Sequence, residues 1–238
     1  GFENINLDFM FGLPEQQPQT WLHTLEQAIA LGPEHLSLYS LTVEPDTPLA
    51  AWVARGQVSA PDPDLAADLY DIACERLASA GYCQYEISNW ARGDLDEKGL
   101  PGYACQHNLV YWRNGAYLGF GPGAHSSLAG RRWSVPRAVD DYIQAVAANA
   151  ELVDYQEDIP RPLEMGETMM LGLRLVEVGV TRPAFRQRFG VDVAEVYPAE
   201  LARLQAAGLL EITPERVRLT PRAKLLGNEV FAAFLPDD

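Results

Sequence analysis

Residues 4–14 of this chain, NINLDFMFGLP, decide its fold. Apolar and polar side chains alternate through the stretch, which is the period of a β-strand with one buried face. The apolar face carries Ile5, Leu7, Phe9 and Phe11, and the opposite face carries Asn4, Asn6, Asp8 and Met10. Gly12-Leu13-Pro14 then ends the strand. The chain therefore enters a sheet almost at once.

A helix and a second strand follow this first strand. Residues 20–31, TWLHTLEQAIAL, place apolar side chains on one helical stripe that Gly32-Pro33 closes, while His23 falls opposite the stripe and is expected in solvent. Residues 35–43, HLSLYSLTV, read as the second strand. Strand, helix and strand with short joints predict a βαβ unit, and hence a parallel sheet with a right-handed crossover.

The rest of the chain predicts further α/β structure and then a mainly helical end. Asn114-Gly115 is a two-residue turn signal between two short strand-like runs. A composition shift at residues 158–162 marks a boundary, beyond which the pattern is typical of a winged-helix-like domain. The predicted elements are helices over 61–81, 138–149, 163–176, 181–189, 194–207 and 221–235, a strand over 83–88, a surface loop over 92–102 and a hairpin over 208–220.

Composition excludes several classes of protein. Eighteen basic and thirty-three acidic side chains among 238 residues give a net charge of −15, which disfavours nucleic acid and anionic membrane as main partners. The three cysteines, Cys74, Cys83 and Cys105, form no C-x-x-C pair, which suits a reducing cytoplasm. No apolar run approaches the roughly 20 residues of a membrane span. The chain begins without an initiator methionine, so we expect a fragment whose earlier part is missing.

The polar face of the first strand is the first candidate site. Strands that are covered on both faces normally read as continuous apolar runs, so Asn4, Asn6 and Asp8 indicate either a solvated face or a polar cavity. The cavity is favoured, because Asp8 and Met10 lie at the carboxyl end of the strand, where ligand groups gather in a β/α barrel. Asp8 could instead serve only as a turn former.

A glycine-rich segment, GFGPGAHS at residues 119–126, is the second candidate. The glycines are spaced G-x-G-x-G and no amphipathic helix follows them, so a dinucleotide-binding loop is disfavoured. A strand or turn with a close backbone approach fits better, and tight packing alone would explain it equally well.

The third candidate is CQHNLVYW at residues 105–112. Cys105, His107 and His125 could each ligate a metal, although their spacing is not that of a zinc site. An isolated histidine is more often a hydrogen-bonded structural residue, and this stretch could be the polar edge of a strand. Tyr111 and Trp112 beside His107 favour an axial haem ligand among flat aromatic side chains.

DNA binding is a rival function that the winged-helix pattern raises. The helix in the recognition position, AEVYPAELARLQAAG, carries Glu195 and Glu200 against Arg203, and a negatively charged helix is unsuited to a major groove. The preceding helix, TRPAFRQRFG, is basic and is the one feature that favours DNA binding. We therefore expect no nucleic-acid partner.

Together these segments resemble one family, the radical-SAM proteins related to oxygen-independent coproporphyrinogen dehydrogenase, and within it the haem-chaperone branch. The resemblance runs through NINLDFMFGLP, HLSLYSLTVEPDTPL, YEISNWA, CQHNLVYWRNGAYLGFGPGAHS, MLGLRL and GLLE…RLTPRAKLL, and so covers essentially the whole chain. It implies an α/β fold: the carboxyl-terminal part of an incomplete β/α barrel, followed by a mainly helical winged-helix-like domain. The implied parts are the last barrel strands and helices (1–60), a family-specific α/β extension (61–158) and the winged-helix-like domain (159–238).

The resemblance also implies cofactors. Members bind a [4Fe–4S] cluster through C-x-x-x-C-x-x-C, with S-adenosylmethionine beside it, and neither that motif nor the glycine-rich strand of the methionine site occurs here. Asp8 and Met10 match positions on the S-adenosylmethionine side. His107 is the implied haem ligand, with Tyr111 and Trp112 beside the macrocycle and His125 as a weaker candidate.

The implied function is binding of haem and its transfer to respiratory haem apoproteins. It would take place in the cytoplasm and peripherally at the membrane during transfer, by a protein that could be a homodimer when complete. The alternative is coproporphyrinogen III dehydrogenase activity, whose members do not usually carry H-N-x-x-Y-W. A winged-helix module that binds a partner protein is a weaker third hypothesis.

Overall fold

Residues 1–236 are described by the computed structural model, and the chain separates into two compact units. The first unit comprises residues 1–105 together with Val176–Val178, and the second comprises the rest of the chain. The mixed α/β fold class predicted from the sequence is confirmed. The division into three parts, at residues 60/61 and 158/159, stays a prediction.

The first unit is a four-stranded sheet with helices packed on one face. Its strands run in the order β1-β2-β4-β3, so β1 lies at an edge. β1 and β2 pair in parallel, with Asn6 opposite His35, which confirms the βαβ prediction; the β2–β4 and β4–β3 pairs are antiparallel. The elements are β1 (Asn6–Phe11), α1 (Pro18–Leu31), β2 (His35–Ser40), α2 (Pro48–Ala54), α3 (Pro63–Ser79), β3 (Cys83–Glu86) and β4 (Asn89–Ala91).

The predicted apolar faces form the core of this unit. On β1 the apolar side chains face the core and the alternating polar ones are exposed, as the sequence pattern predicts. α1 and α3 pack together on that face, and His23 is exposed as expected. The core comprises Phe11, Trp21, Leu25, Ala28, Leu36, Leu38, Leu69, Tyr70, Ala73, Leu77, Tyr82 and Trp90.

Local sequence sets the ends of the two core helices. Pro18 opens α1, where its missing N–H costs nothing, and Gly32 closes α1 in the left-handed region. The side chain of Asp62 accepts hydrogen bonds from the Asp64 and Leu65 N–H groups and so caps the start of α3.

The second unit contains two antiparallel three-stranded sheets and several short helices. The strand orders are β5-β6-β7 and β8-β10-β9. Its elements are α4 (Gln106–Trp112), β5 (His125–Leu128), β6 (Arg131–Ser134), α5 (Val139–Ala147), β7 (Tyr155–Asp158), α6 (Arg161–Gly172), β8 (Val180–Thr181), α7 (Arg182–Phe189), α8 (Val193–Val196), α9 (Pro198–Ala206), β9 (Leu210–Ile212), β10 (Arg216–Leu219), a 3₁₀ helix (Pro221–Leu226) and α10 (Gly227–Ala232).

Several predicted elements of the second unit differ in detail. The single helix predicted over 194–207 is wrong: it is α8 followed by α9, because Pro198 disfavours a helical conformation at Tyr197. The last helix begins as a 3₁₀ turn at Pro221. The predicted hairpin is confirmed as β9 and β10, and a third strand, β8, joins it.

Candidate functional site

The stretch QHNLVYW forms the helix α4, so the strand predicted before Asn114-Gly115 is wrong. Asn114 adopts a positive φ of 48°, and its N–H donates to the Tyr111 carbonyl at 2.8 Å. The Gly115 N–H donates back to the Val110 carbonyl, also at 2.8 Å. The Asn-Gly pair therefore closes a helix instead of turning a hairpin, which is the second common use of a left-handed residue followed by glycine.

α4 presents His107 and Tyr111 on one face, one turn apart. Their rings meet edge to face with centroids 5.0 Å apart, and Tyr111 meets Tyr117 in the same way at 4.7 Å. His107 is exposed, whereas the two tyrosines are half-buried. We call these three side chains the aromatic ladder. It leaves an imidazole in solvent, backed by two aromatic rings.

Trp112 lies on a different side of α4. It follows His107 by five positions, which is about 140° around a helix. Its ring packs under the Arg174 guanidinium, 4.5 Å from the ring centroid, and its indole N–H is buried without a hydrogen-bond partner among residues 1–236. Tyr111 and Trp112, which were predicted together beside His107, therefore lie on different faces of α4. Of the two, only Tyr111 shares the face of His107.

The glycine-rich segment forms the close turn that the sequence favours. A Cβ on Gly119 would lie 2.2 Å from the His125 carbonyl oxygen, and Gly121 has a φ of 102°. The Gly119 N–H donates to the Ser126 hydroxyl at 3.0 Å. His125 starts β5 with its side chain exposed. The glycines thus serve backbone packing, and no helix opens after them.

The end of α4 is held by a polar cluster from α6 and α7. The Arg188 guanidinium donates to the Asn114 carbonyl at 2.8 Å and the Arg113 carbonyl at 3.3 Å, and pairs with the Glu164 carboxylate at 2.7 Å. The Asn114 side chain donates to the Thr168 hydroxyl at 3.1 Å. We call Arg188, Glu164, Asn114 and Thr168 the α4 anchor, because they cap the carboxyl end of the helix that carries His107.

The arginine side chains of α7 form ion pairs with carboxylates of the same unit. Arg182 and Arg186 both bind the buried Asp192 carboxylate, and Arg188 binds Glu164. These contacts hold the pKa of Asp192 below its ordinary value against the opposing effect of its burial. All three arginines of α7 therefore serve pairs within the described part of the chain.

In the first unit, the polar face of the sheet carries a connected set of side chains. The Asn6 amide donates to Asp8 at 2.7 Å, and the Asn6 oxygen lies 2.7 Å from Nδ1 of His35. The other ring nitrogen of His35 lies 2.8 Å from the Tyr85 hydroxyl. Burial lowers the pKa of His35 to about 4, with the Asp8 charge acting in the opposite direction. His35 is therefore neutral near pH 7.

A cleft opens beside this polar face at the carboxyl end of β1. It encloses about 400 Å³ and is bounded by Met10, by the segment Leu13–Gln17 and by the first turns of α1. Asp8 and Met10 are both exposed on β1. Met10 lines the cleft, and the Asp8 carboxylate lies two residues earlier on the same exposed face of β1.

Sequence reasoning missed the buried partners on this face. His35, Tyr85, Glu86 and Asn89 are each at most 4% exposed. Asn89 donates to the Glu86 carboxylate at 2.6 Å. The alternation of His35 and Ser37 with leucines in HLSLYS was an available signal, since it places both polar side chains on one face of β2.

Metal ligands do not gather in the described part of the chain. Residues 1–236 contain no group of three or more histidine, cysteine, aspartate or glutamate side chains that could hold a metal ion. Cys74, Cys83 and Cys105 form no disulfide, and they do not fit the thiolate set of a [4Fe–4S] cluster. Over the same residues, no helix is both long and apolar enough to cross a membrane.

Comparison with solved structures defines the type of fold. The fold is similar to that of coproporphyrinogen III oxidase (HemN) from Escherichia coli, described as a radical-SAM enzyme, with a TM-score of 0.77 and 21% identity over 98% of this chain and 55% of that one. Residues 159–226 match the HemN C-terminal domain. The chain thus has a HemN-type radical-SAM fold.

Curated relatives narrow the class to a family. The heme chaperone HemW of Bacillus subtilis is 37% identical over 99% of this chain, and that of Escherichia coli is 34% identical over 100%. The mitochondrial radical S-adenosyl methionine domain-containing protein 1 of mouse is 32% identical over 98%. Over essentially its whole length the chain is similar to proteins of the HemW family. It spans 60%, 59% and 53% of the lengths of these three relatives, respectively.

Proposed function

We propose that the chain binds haem as part of a haem chaperone, with His107 as the axial ligand. The observation that carries the proposal is the aromatic ladder, in which an exposed imidazole projects from a helix with two tyrosine rings behind it. A histidine nitrogen is a common axial ligand of haem iron. The names of the HemW relatives support the same cargo.

The surroundings of the aromatic ladder suit a flat apolar macrocycle. The chain that leaves Tyr117 exposes Leu118 and Phe120, the latter at 88%. Large apolar side chains that are exposed together mark binding surfaces in soluble proteins. In this proposal Tyr111 supports the imidazole from its edge. Trp112 stabilises the helix through Arg174 and lies off the haem face, and His125 is a weaker candidate ligand.

We further propose that Asp8 and Met10 face S-adenosylmethionine. The exposed carboxylate accepts hydrogen bonds from ligand hydroxyl or amino groups, and the cleft beside Met10 has room for part of a nucleoside. When bound, the cluster and S-adenosylmethionine of this family supply radical chemistry. The residues of this chain would contribute binding and orientation, since its cysteines do not fit the cluster.

The proposed recipients of haem are respiratory haem apoproteins. Transfer would take place in the cytoplasm and peripherally at the membrane, and the full-length protein would form a homodimer. The three-part division of the chain belongs to the same proposal, and the start of the HemN C-terminal domain match at residue 159 supports its second boundary.

Coproporphyrinogen III oxidative decarboxylation is the second candidate, favoured by the fold shared with HemN. One experiment separates the two: the full-length protein is assayed in parallel for haem binding and for decarboxylation of coproporphyrinogen III. The proposal expects stoichiometric haem binding with a Soret shift and no decarboxylation. Decarboxylation without haem binding would overturn it.

A further inference from the structure

A continuous chain of hydrogen bonds crosses the polar face of the first unit. It starts at the Cys105 N–H, which donates to the Tyr85 oxygen at 3.1 Å. It continues through the two ring nitrogens of His35 to the Asn6 oxygen and ends where the Asn6 amide donates to Asp8. Tyr85 and His35 are almost fully buried, whereas Asn6 and Asp8 are exposed. This series of hydrogen bonds thus links the interior of the unit to the exposed Asp8 carboxylate.

Each hydrogen bond in this series has a defined donor and a defined acceptor. The Asn6 oxygen can only accept, so Nδ1 of His35 carries the proton and Nε2 of the neutral ring accepts from the Tyr85 hydroxyl. The hydroxyl of Ser37 also donates to the Asn6 oxygen, at 3.2 Å. Because the Asp8 carboxylate accepts, the Asn6 amide has one orientation, in which its NH₂ group points at Asp8 and its oxygen at His35 and Ser37.

We infer that His35 is a positioning residue for Asp8. Its Nδ1 proton holds the Asn6 amide, and that amide holds one oxygen of the Asp8 carboxylate. The second oxygen is left to accept a hydroxyl or amino group of a ligand. This inference rests on the proposed role of Asp8, and it assigns a function to Tyr85, His35 and Asn6, which do not reach the ligand side themselves.

The orientation also limits the ligand groups that Asp8 accepts. One carboxylate oxygen is already occupied by the Asn6 N–H, so bidentate binding of a guanidinium is disfavoured. A single hydroxyl or amino donor fits the remaining oxygen.

Two substitutions break this series of hydrogen bonds at different points. Tyr85→Phe removes the hydroxyl that fixes the His35 ring, together with its bond from the Cys105 N–H. Asn6→Ala removes the exposed direct partner of Asp8 without disturbing the core. His23→Ala, an exposed histidine on α1, is the matched control. The full-length protein is titrated with S-adenosylhomocysteine, and long-range ¹H–¹⁵N NMR reports the His35 tautomer and the Asn6 side-chain amide.

We expect Tyr85→Phe to move the His35 proton partly to Nε2, to shift the Asn6 amide signals and to weaken binding about fivefold, with a similar loss for Asn6→Ala. An unchanged tautomer and unchanged amide signals in Tyr85→Phe would overturn the inference. A third variant, Asp8→Asn, removes the carboxylate itself. Full affinity in Tyr85→Phe and Asn6→Ala, together with lost affinity in Asp8→Asn, would also overturn the inference. If Asp8→Asn itself binds normally while the spectra of Tyr85→Phe respond, Asp8 does not contact the ligand. The proposed role of Asp8 then fails, and the inferred role of His35 toward the ligand falls with it.

Discussion

At the scale of single residues, His35 gives the chain a specific dependence on pH. Burial lowers the pKa of this residue from 6.5 to about 4. Between these values the unfolded chain binds a proton that the folded chain does not, so stability falls as the pH falls from about 6.5 to about 4. The shift corresponds to a loss of roughly 3 kcal/mol, complete below about pH 4 and absent above about pH 6.5.

Urea unfolding of the wild type and of His35→Gln at several pH values checks this expectation. The variant lacks the titrating group, so its free energy of unfolding should fall less steeply over the same window. His23→Gln is the control, and it should keep the pH dependence of the wild type. Parallel curves for the wild type and His35→Gln would show that His35 does not carry the effect.

Gly119 is a residue at which one methyl group should be costly. Its Cβ would lie 2.2 Å from the His125 carbonyl oxygen, which belongs to the backbone and cannot rotate away. We expect Gly119→Ala to lower the free energy of unfolding by about 2 kcal/mol. Gly102→Ala is the control, because its Cβ would have no neighbour nearer than 3.9 Å. Equal melting temperatures for the two variants would contradict the close approach.

At the scale of elements, the α4 anchor should decide how firmly α4 is closed. Arg188 binds two carbonyls at the end of the helix, so Arg188→Met should leave these carbonyls to water and cost about 1 kcal/mol. Amide hydrogen exchange at Asn114 and Gly115 should become faster. Arg131→Met, which removes the exposed pair with Asp158, should leave that exchange unchanged. Equal exchange rates at Asn114 and Gly115 in both variants would show that Arg188 does not stabilise the end of α4.

The elements that the sequence predicts well are those with one buried face. β1 and α1 carry complete apolar patterns of period 2 and 3.6, and both match the structure closely. α4 was misread because seven residues give too short a pattern, and because Asn114-Gly115 closes helices as well as hairpins. The break between α8 and α9 could have been predicted from Pro198 itself.

The candidate site was predictable only in part. Asp8, Met10 and His107 follow from local pattern and family resemblance, and the structure leaves all three exposed. The partners that orient them lie far away in sequence: Tyr85 is 50 residues from His35, and Arg188 is 74 residues from Asn114. Contacts of that range depend on how elements pack, which periodicity within one element does not encode.

At the scale of the whole molecule, the chain as given should have no radical chemistry of its own. Its three cysteines do not fit a [4Fe–4S] cluster, and it contains no C-x-x-x-C-x-x-C motif. We expect anaerobic reconstitution with iron and sulfide to yield neither a cluster absorbance nor 5′-deoxyadenosine from S-adenosylmethionine. Iron-dependent reductive cleavage by this chain would contradict the expectation.

The open edge of the first sheet should also govern how the chain behaves in solution. β1 lies at that edge, and Met10 within it and Ile5 just before it are about half exposed. Unpaired strand edges recruit further strands. We expect the chain to self-associate as its concentration rises, and Met10→Lys to reduce this association. Light scattering that is independent of concentration in the wild type would show that the edge is protected.

The measurement that tests haem binding at the aromatic ladder most directly is a Soret titration of the wild type, His107→Ala and the control His23→Ala. We predict that His107→Ala weakens haem binding by at least about tenfold, with an altered Soret position, and that His23→Ala binds as the wild type does. Unchanged affinity and an unchanged spectrum in His107→Ala would contradict the account and move the iron ligand to another residue, with His125 or Cys105 next to be tested.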